Sequence, residues 1–495
     1  MYATGKSDTG IVSMKRTNKG AQPQQYGQPP AESVEKRTVA EGNPEQATAC
    51  GTQGLKSASS ALDRVREAAR RDAKQRFTNL LHHVKADLLR QAYGALKHDA
   101  KAGVDEVTWK EYGEGLEERL LDLQDRIQGG RYRAKPSKRE WIPKPDGRQR
   151  PIGIASLEDK IVQKALVLVL QQIYEEDFLG FSYGFRPKRR QHNALDALYV
   201  AITRRKVSWV LDADIRGFFD TIEHSWLMKF VEHRVTDPRV LRLIRKFLRA
   251  GVSEDGQWSK TEVGTPQGSV ISPFLANIYL HYVLDLWVHW WRRHHARGEV
   301  YIVRYADDFV LGFQYRSDAR LFRIELHERL KKFGLDLHPE KTRLIEFGRF
   351  AAANREKRGE GKPETFDFLG FTHYCTKRRS DGSFTVRRKT IAKKMRAKLQ
   401  EVRKDLRRKS CLPISIQGQW LRSVIRGHVY YYGVPGNSPA LEAFRKQVVR
   451  SWLKALRRRS QKGRNLTWSR FKRWVEHWIP SVRIVHPYPD QRFCV

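Results

Sequence analysis

The chain has 495 residues, room for several domains around a large core. Its 94 Lys and Arg against 55 Asp and Glu leave a formal net charge of +39, which excludes an ordinary enzyme of neutral small molecules and calls for a polyanionic partner. The sequence has neither an apolar run long enough to span a bilayer nor the apolar core of a leader, so a cytoplasmic protein without a membrane partner is expected, and its scattered cysteines suit neither a zinc knuckle nor a disulfide framework.

Residues 1–60 are rich in Gly, Gln, Ser, Thr, Pro and charge and nearly devoid of aromatics, the composition of a disordered tail. Helical periodicity is expected from about residue 61 through Leu80, Leu81, Val84, Leu88 and Leu89, and again over 109–127. Residues 139–154 read as a hairpin. Trp141 and Ile142 lead into a turn at Pro145-Asp146-Gly147, Pro151-Ile152-Gly153-Ile154 return, and Lys144, Arg148 and Arg150 stud it. A helix with one strongly apolar side is expected next, over 157–174. Residues 207–211 form a short apolar strand that runs into Asp212-Ala213-Asp214. Helices are expected over 224–248 and over 273–291, the latter apolar nearly all round and therefore buried. Residues 300–313 read as two strands flanking Ala306-Asp307-Asp308, with a helix over 319–333 and a strand over 342–347 after them. Beyond Tyr374 the pattern is helical and very basic.

The charge is concentrated. From residue 376 onward there are 31 Lys and Arg against 6 Asp and Glu, so about a quarter of the chain supplies +25 of the net charge. Trp420, Tyr430, Tyr431, Tyr432, Trp452, Trp468, Trp474 and Trp478 interleave with these cations. Basic and aromatic residues together suit RNA, whose phosphates pair and whose bases stack, although each aromatic taken singly also suits a helix core.

Two acidic strand ends carry the chemistry. A hairpin turn holding Asp307 and Asp308 concentrates negative charge that a cation would relieve. The strand ending in Asp214 offers a second carboxylate, and two Mg²⁺ ions in phosphoryl transfer use oxygens from separate strands. Asp212 lies on the same face as Asp214 by the two-residue period of a strand, so spacing alone does not choose between them.

Tyr305-Ala306-Asp307-Asp308 resembles the catalytic box of reverse transcriptases. Residues 96–495 resemble bacterial group II intron-encoded reverse transcriptase/maturases. The resemblance rests on Ala102-Gly103-Val104-Asp105, on the block from Ile142 to Ile154, and on Ser182-Tyr183-Gly184-Phe185-Arg186-Pro187. It continues through Gly264-Thr265-Pro266-Gln267-Gly268-Ser269 and Phe366-Asp367-Phe368-Leu369-Gly370-Phe371. It implies an α+β right-hand polymerase: fingers over 61–205, a palm with the catalytic acids over 206–375, basic thumb/maturase helices over 376–460, and a basic nucleic-acid-binding segment over 461–495.

The resemblance also implies roles. Asp214 and Asp307 would be the main Mg²⁺ ligands, with Asp308 close by and the carbonyl of Ile215 assisting, so the match favours Asp214 over Asp212. Lys144 and Arg150 would grip the nucleoside triphosphate, with Arg148 able to substitute. Phe219 would sit under the incoming sugar and exclude a 2′-hydroxyl. Gln267 and Gly268 would line the pocket of the templating pair, and Lys341 matches a family lysine near the pyrophosphate. Arg403, Lys404, Arg407, Arg408 and Lys409 would hold RNA. The implied partners are intron RNA, an RNA template with a DNA primer or target DNA, and deoxynucleoside triphosphates. The implied function is RNA-directed DNA synthesis together with help in splicing and mobility of the intron. A polymerase of the same ancestry recruited to phage defence or repair is the alternative, as is a maturase that only assists splicing. Without Cys pairs or a His-Asn-His cluster, the chain resembles the subset lacking a C-terminal endonuclease.

Overall fold

The computed structural model describes residues 52–143, 149–254, 257–259, 263–265 and 268–492. Most of the expected tail, the hairpin turn with Lys144 and Arg148, and Gln267 lie outside the described residues.

The N-terminal part is helical: α1 (Thr52–Arg71), α2 (Ala86–Gly94), α3 (Trp109–Tyr112) and α4 (Leu116–Gln128), then α5 (Leu157–Asp177) after a hairpin. The single helical run expected through Leu89 is broken between α1 and α2. There Phe77 exchanges backbone hydrogen bonds with Arg234 and Thr236, each at 2.9 Å. The fully buried Asp237 carboxylate accepts the amides of Leu80 and Leu81 at 2.7 and 2.9 Å through one oxygen. Its other oxygen accepts the Arg239 amide at 2.9 Å and so caps a helix of its own. One side chain thereby sits at the break in two expected helical runs, because the run over 224–248 is likewise divided. After α6 (Gln191–Arg204) and α7 (Phe218–Thr221) come α8 (His224–Glu232) and α9 (Pro238–Arg249), with Pro238 at the helix start. The run over 109–127 is broken in the same way between α3 and α4, where Gly115 takes a φ of +70°.

The expected hairpin is β1 (Ser137–Pro143) against β2 (Gln149–Ile154). It extends through β4 (Val252–Glu254) and β5 (Gln257–Ser259) into a sheet of order β2-β1-β4-β5. A second sheet, of order β6-β7-β3-β8, sits at the centre: β3 (Trp209–Asp214), β6 (Val300–Tyr305), β7 (Asp308–Phe313) and β8 (Arg343–Glu346), antiparallel throughout. Its two faces meet different cores, as a period of two requires. Leu211, Ala213, Phe309 and Leu311 enter the main core with α5, α8 and α10 (Ser272–Leu280). Val210, Val303 and Val310 face a second core with α6 and the strands beyond Phe366. The expected apolar helix is buried, and a π-helical turn (His281–Asp285) links α10 to α11 (Leu286–His294). Helix α12 (Arg316–Lys331) precedes β8, and α13 (Ala351–Lys357) comes after it.

The region after Tyr374 is not helical at first. Strands β9 (Phe366–Phe368), β10 (Phe371–Lys377) and β11 (Phe384–Thr390) form a third sheet before the helices begin. Arg387, Arg388 and Lys389 give this strand a basic, helix-like composition, but Val386 packs inward against the second core and Thr390 is buried as well. Helices α14 (Ala392–Arg408), α15 (Ile414–Tyr432), α16 (Ser438–Arg458), α17 (Gln461–Arg464) and α18 (Trp468–Trp478) then pack as a bundle. Leu406, Ile425, Trp452, Phe471 and Val475 share its core, so residues before and after 460 pack together. Among the described residues no helix is long and apolar enough to cross a membrane.

Candidate active site and nucleic-acid interface

Strand register assembles the acids. Asp214 and Asp308 are directly paired across β3 and β7, and Asp212 stands opposite Val310. All three project from the face that carries Val210 and Val310, at the end where apolar cover gives out. Asp307 occupies the two-residue turn between β6 and β7, reached through Ala306 at φ +58°. The structure thus brings Asp214, Asp307 and Asp308 together, with Asp212 alongside. Ile215, next in the chain after Asp214, is buried, and the loop after α12 braces it: His338 donates its amide to the carbonyl of Asp214 and Arg216 donates to Asp336, both at 2.8 Å.

Electrostatics agree with a cation site. Burial, then the charges of Asp212, Asp214 and Asp307, push the Asp308 carboxyl up to about 8. Burial raises Asp212 to about 6, with Asp367 and Asp214 adding to it against the pull of Arg343. Asp307 is raised too, first by burial and then by Asp214, while the cation of Arg150 pulls the other way. Carboxylates crowded until they hold protons near neutrality are what a divalent cation would relieve. Among the described residues no three His, Cys, Asp or Glu side chains converge closely enough to cage an ion unaided. Mg²⁺ takes one or two protein carboxylates and completes its shell with water and substrate phosphates. The donor set of Asp214, Asp307 and a strand-end carbonyl therefore fits a divalent ion.

Around the acids, the expected nucleotide contacts are placed in part. Arg150, opposite Ile142 in the hairpin, is exposed and close enough to act on Asp307. Phe219 is half-buried and edges a cleft of about 140 Å³ with Arg139, Ile152, Val263 and Thr265. Gly268 has φ +106°, and a Cβ there would lie 2.6 Å from Ile152 Cγ2 and 2.7 Å from the carbonyl oxygen of Gly153. Only glycine lets that loop lie against the hairpin. Lys341 sets its ammonium on the Asp214 carboxylate, a contact that spacing did not indicate.

The basic helices divide the residues expected to hold RNA. A cavity of about 870 Å³ between α14 and α16 is lined by Arg403, Arg407, Arg450, Lys454, Arg458 and Arg459 and, among the described residues, by no acid. Arg403 and Arg407 are brought into it. Lys404 and Arg408 are exposed outside its lining, and the Lys409 ammonium lies 5.7 Å over the Trp420 ring. The aromatics divide as well: Trp452 is buried with its indole N–H donated to Gln417 at 3.0 Å, whereas Tyr430 and Trp468 are more than half exposed.

Sequence reading missed the group behind the acidic turn. Arg304 is fully buried three residues before Asp307 and pairs with the fully buried Asp285. Its signal was a charge inside an apolar strand matched by an opposite charge inside an apolar helix, because a buried charge needs a partner.

A model of the reverse transcriptase (RNA-dependent DNA polymerase) family matches residues 142–373. The chain is similar to Protein YkfC of Escherichia coli (strain K12), 36% identical over 273 residues that cover 49% of this chain and 71% of that protein. It is 33% identical over 229 residues to the group II intron-encoded protein LtrA of Lactococcus lactis subsp. cremoris, covering 46% of this chain and 38% of the relative. It is 28% identical over 315 residues to a putative COX1/OXI3 intron 1 protein of Saccharomyces cerevisiae, covering 53% and 37%. The chain thus spans well under half the length of the latter two.

Proposed function

Because the chain belongs to the reverse transcriptase (RNA-dependent DNA polymerase) family, in its group II intron-encoded branch, we propose that its acidic cleft copies RNA into DNA. The family is divalent-metal dependent, binds nucleic acid, and has the right-hand polymerase fold. In this proposal residues 61–205 are fingers, 206–375 palm and 376–460 thumb, with 461–495 adding nucleic-acid contacts, and the protein works in the cytoplasm.

The observation that carries the reading is the register of Asp214 against Asp308 beside Asp307 on its turn. Asp214 and Asp307 would be the main ligands of the cations, with Asp308 close by as a further catalytic carboxylate and ligand and the Ile215 carbonyl assisting. Bound divalent ions, two Mg²⁺ here, would supply the Lewis acidity that activates a primer 3′-hydroxyl and neutralises the leaving pyrophosphate. Arg150, with Lys144, would hold the deoxynucleoside triphosphate so that its α-phosphate lies in line with that hydroxyl. Phe219 would fill the space of a ribose 2′-hydroxyl, and Gln267 and Gly268 would flank the templating pair. The cavity between α14 and α16 would take phosphates of structured RNA, the group II intron in this proposal, through Arg403 and Arg407.

The test is Asp307→Ala and Asp214→Ala. Each should lose primer extension on an RNA template by on the order of a thousandfold, since metal ions supply several kcal/mol of transition-state charge stabilisation. Folding should survive, because removing one acid relieves the crowding of the carboxylates. Extension near wild type in either variant would refute the proposal.

A further inference from the structure

Arg304 sits in β6 among Val300, Ile302 and Val303, yet every one of its five guanidinium N–H groups has an acceptor. Nε and Nη2 fork onto Asp285 at 2.7 and 2.5 Å. Nη2 also donates to Ser182 Oγ at 2.7 Å. Nη1 donates to Asn277 Oδ1 at 3.0 Å and to the carbonyl oxygen of Ala306 at 2.9 Å. That last acceptor belongs to the turn residue with left-handed backbone immediately before Asp307.

Three other segments converge on the same turn. Asp285 closes the π-helical stretch between α10 and α11, and the extra residue of such a stretch rotates the next helical residues by about 100° about the helix axis. Asn277, one α10 turn upstream of that stretch, donates to the carbonyl oxygen of Gly184 at 2.7 Å. The chain from Phe181 to Tyr183 pairs with the backbone of Arg304 at 2.9 and 2.8 Å. Gly184 then presses so closely on the turn that a Cβ would lie 2.3 Å from the Ala306 nitrogen. An alanine needs such enclosure to stay left-handed, a conformation that L-residues with a side chain disfavour.

We propose that Arg304, fixed by Asp285 and Asn277, is the positioning residue of the catalytic turn, holding Ala306 so that Asp307 and Asp308 present their carboxylates jointly to a divalent cation. The inference rests on the proposed role of those acids. It assigns Arg304 no contact with substrate: its effect passes through the Ala306 carbonyl. A guanidinium is needed because lysine has one donor atom and cannot reach Asp285, Asn277 and Ala306 at once.

The experiment uses the full chain carrying Arg304→Lys or Asn277→Ala, the second leaving the Arg304–Asp285 pair intact. Mn²⁺ binding is measured without nucleotide by electron paramagnetic resonance, alongside the Mg²⁺ dependence of primer extension, the KM for deoxynucleotide and the melting temperature. Removing a group that orients metal ligands weakens metal affinity by about 10–100-fold. Arg304→Lys should therefore shift both the Mn²⁺ affinity and the Mg²⁺ midpoint by about tenfold, and Asn277→Ala by about threefold, with deoxynucleotide KM changed less than either. If Arg304→Lys does not fold, Asn277→Ala decides alone. Folded variants with wild-type Mn²⁺ affinity and Mg²⁺ midpoint overturn the proposal, as does slower extension with unchanged metal dependence, which would make Arg304 a brace of the core only. Either failure is separable from failure of the polymerase reading, which Asp307→Ala tests directly.

Discussion

Asp214 and Asp308 form a cross-strand pair, two carboxylates facing each other in register at the open end of the central sheet. Like charges directly opposite in a sheet destabilise it, a cost that a cation bound there, as proposed, would offset.

That pair sets a pH dependence. Burial and neighbouring acids raise Asp308 to about 8 and Asp212 to about 6. A carboxyl whose folded pKa is raised contributes stability that is complete below its unfolded value, about 4, and is lost as pH rises through the folded value. The metal-free protein should therefore lose stability between about pH 4 and about pH 9. Protons compete with Mg²⁺ for the same oxygens, so added Mg²⁺ should raise the melting temperature more at about pH 8.5 than at about pH 6, with affinity tighter by on the order of tenfold. Melting curves at both values check this, and an Mg²⁺ effect independent of pH would detach the site from Asp308.

Phe219 should act as a steric gate. Its ring is half-buried, packs edge-on against Phe218 at 5.4 Å, and borders the cleft beside Thr265. Phe219→Ala should lower discrimination between deoxy- and ribonucleotides by about tenfold or more, equivalent to about 1.4 kcal/mol, with a smaller effect on deoxynucleotide incorporation. Single-nucleotide incorporation with matched sugars measures the ratio. An unchanged ratio would make the ring ordinary packing.

Gly268→Ala should strain the loop that lies on the hairpin. The new Cβ meets Gly153 backbone at 2.7 Å, and φ +106° disfavours any side chain. A cost of about 1–3 kcal/mol is expected at such a position, most of it released by the loop and β2, the strand that carries Arg150, moving apart. The readout is a KM for deoxynucleotide raised several-fold while the melting temperature falls by only a few degrees.

Basic residues lining the cavity between α14 and α16 should govern RNA affinity separately from catalysis. Arg403→Glu with Arg407→Glu should weaken RNA binding and flatten its salt dependence, the log–log slope falling by roughly 0.7–0.9 for each phosphate no longer neutralised. Reversal of Lys404 and Arg408, outside that lining, should do less, and Asp307→Ala should leave binding intact. Filter binding across a salt series separates the three variants. Equal effects of the two reversals would assign affinity to general charge, not to the cavity.

Much of the site is legible in the sequence. Strand period places Asp212 and Asp214 on one face, an apolar–acidic–apolar hairpin places Asp307 at a turn, and the basic excess after residue 376 marks a region that is helical only from Ala392 onward. These depend on local spacing, which sequence records directly. What tertiary structure decided depends on contacts between distant residues. Asp214 meets Asp308 rather than a neighbour because of one register among several possible. Asp237 sits at the break in two expected helical runs because it reaches Leu80 and Arg239 at once. Residues 384–390 form a strand because β10 offers them an edge, which outweighs their basic composition. Arg304 and Asp285 are the sharpest case. Each charge is conspicuous in its apolar segment, but only the folded chain shows that their pairing reaches the turn before Asp307, because a buried charge is tolerated only where a partner from elsewhere in the chain meets it.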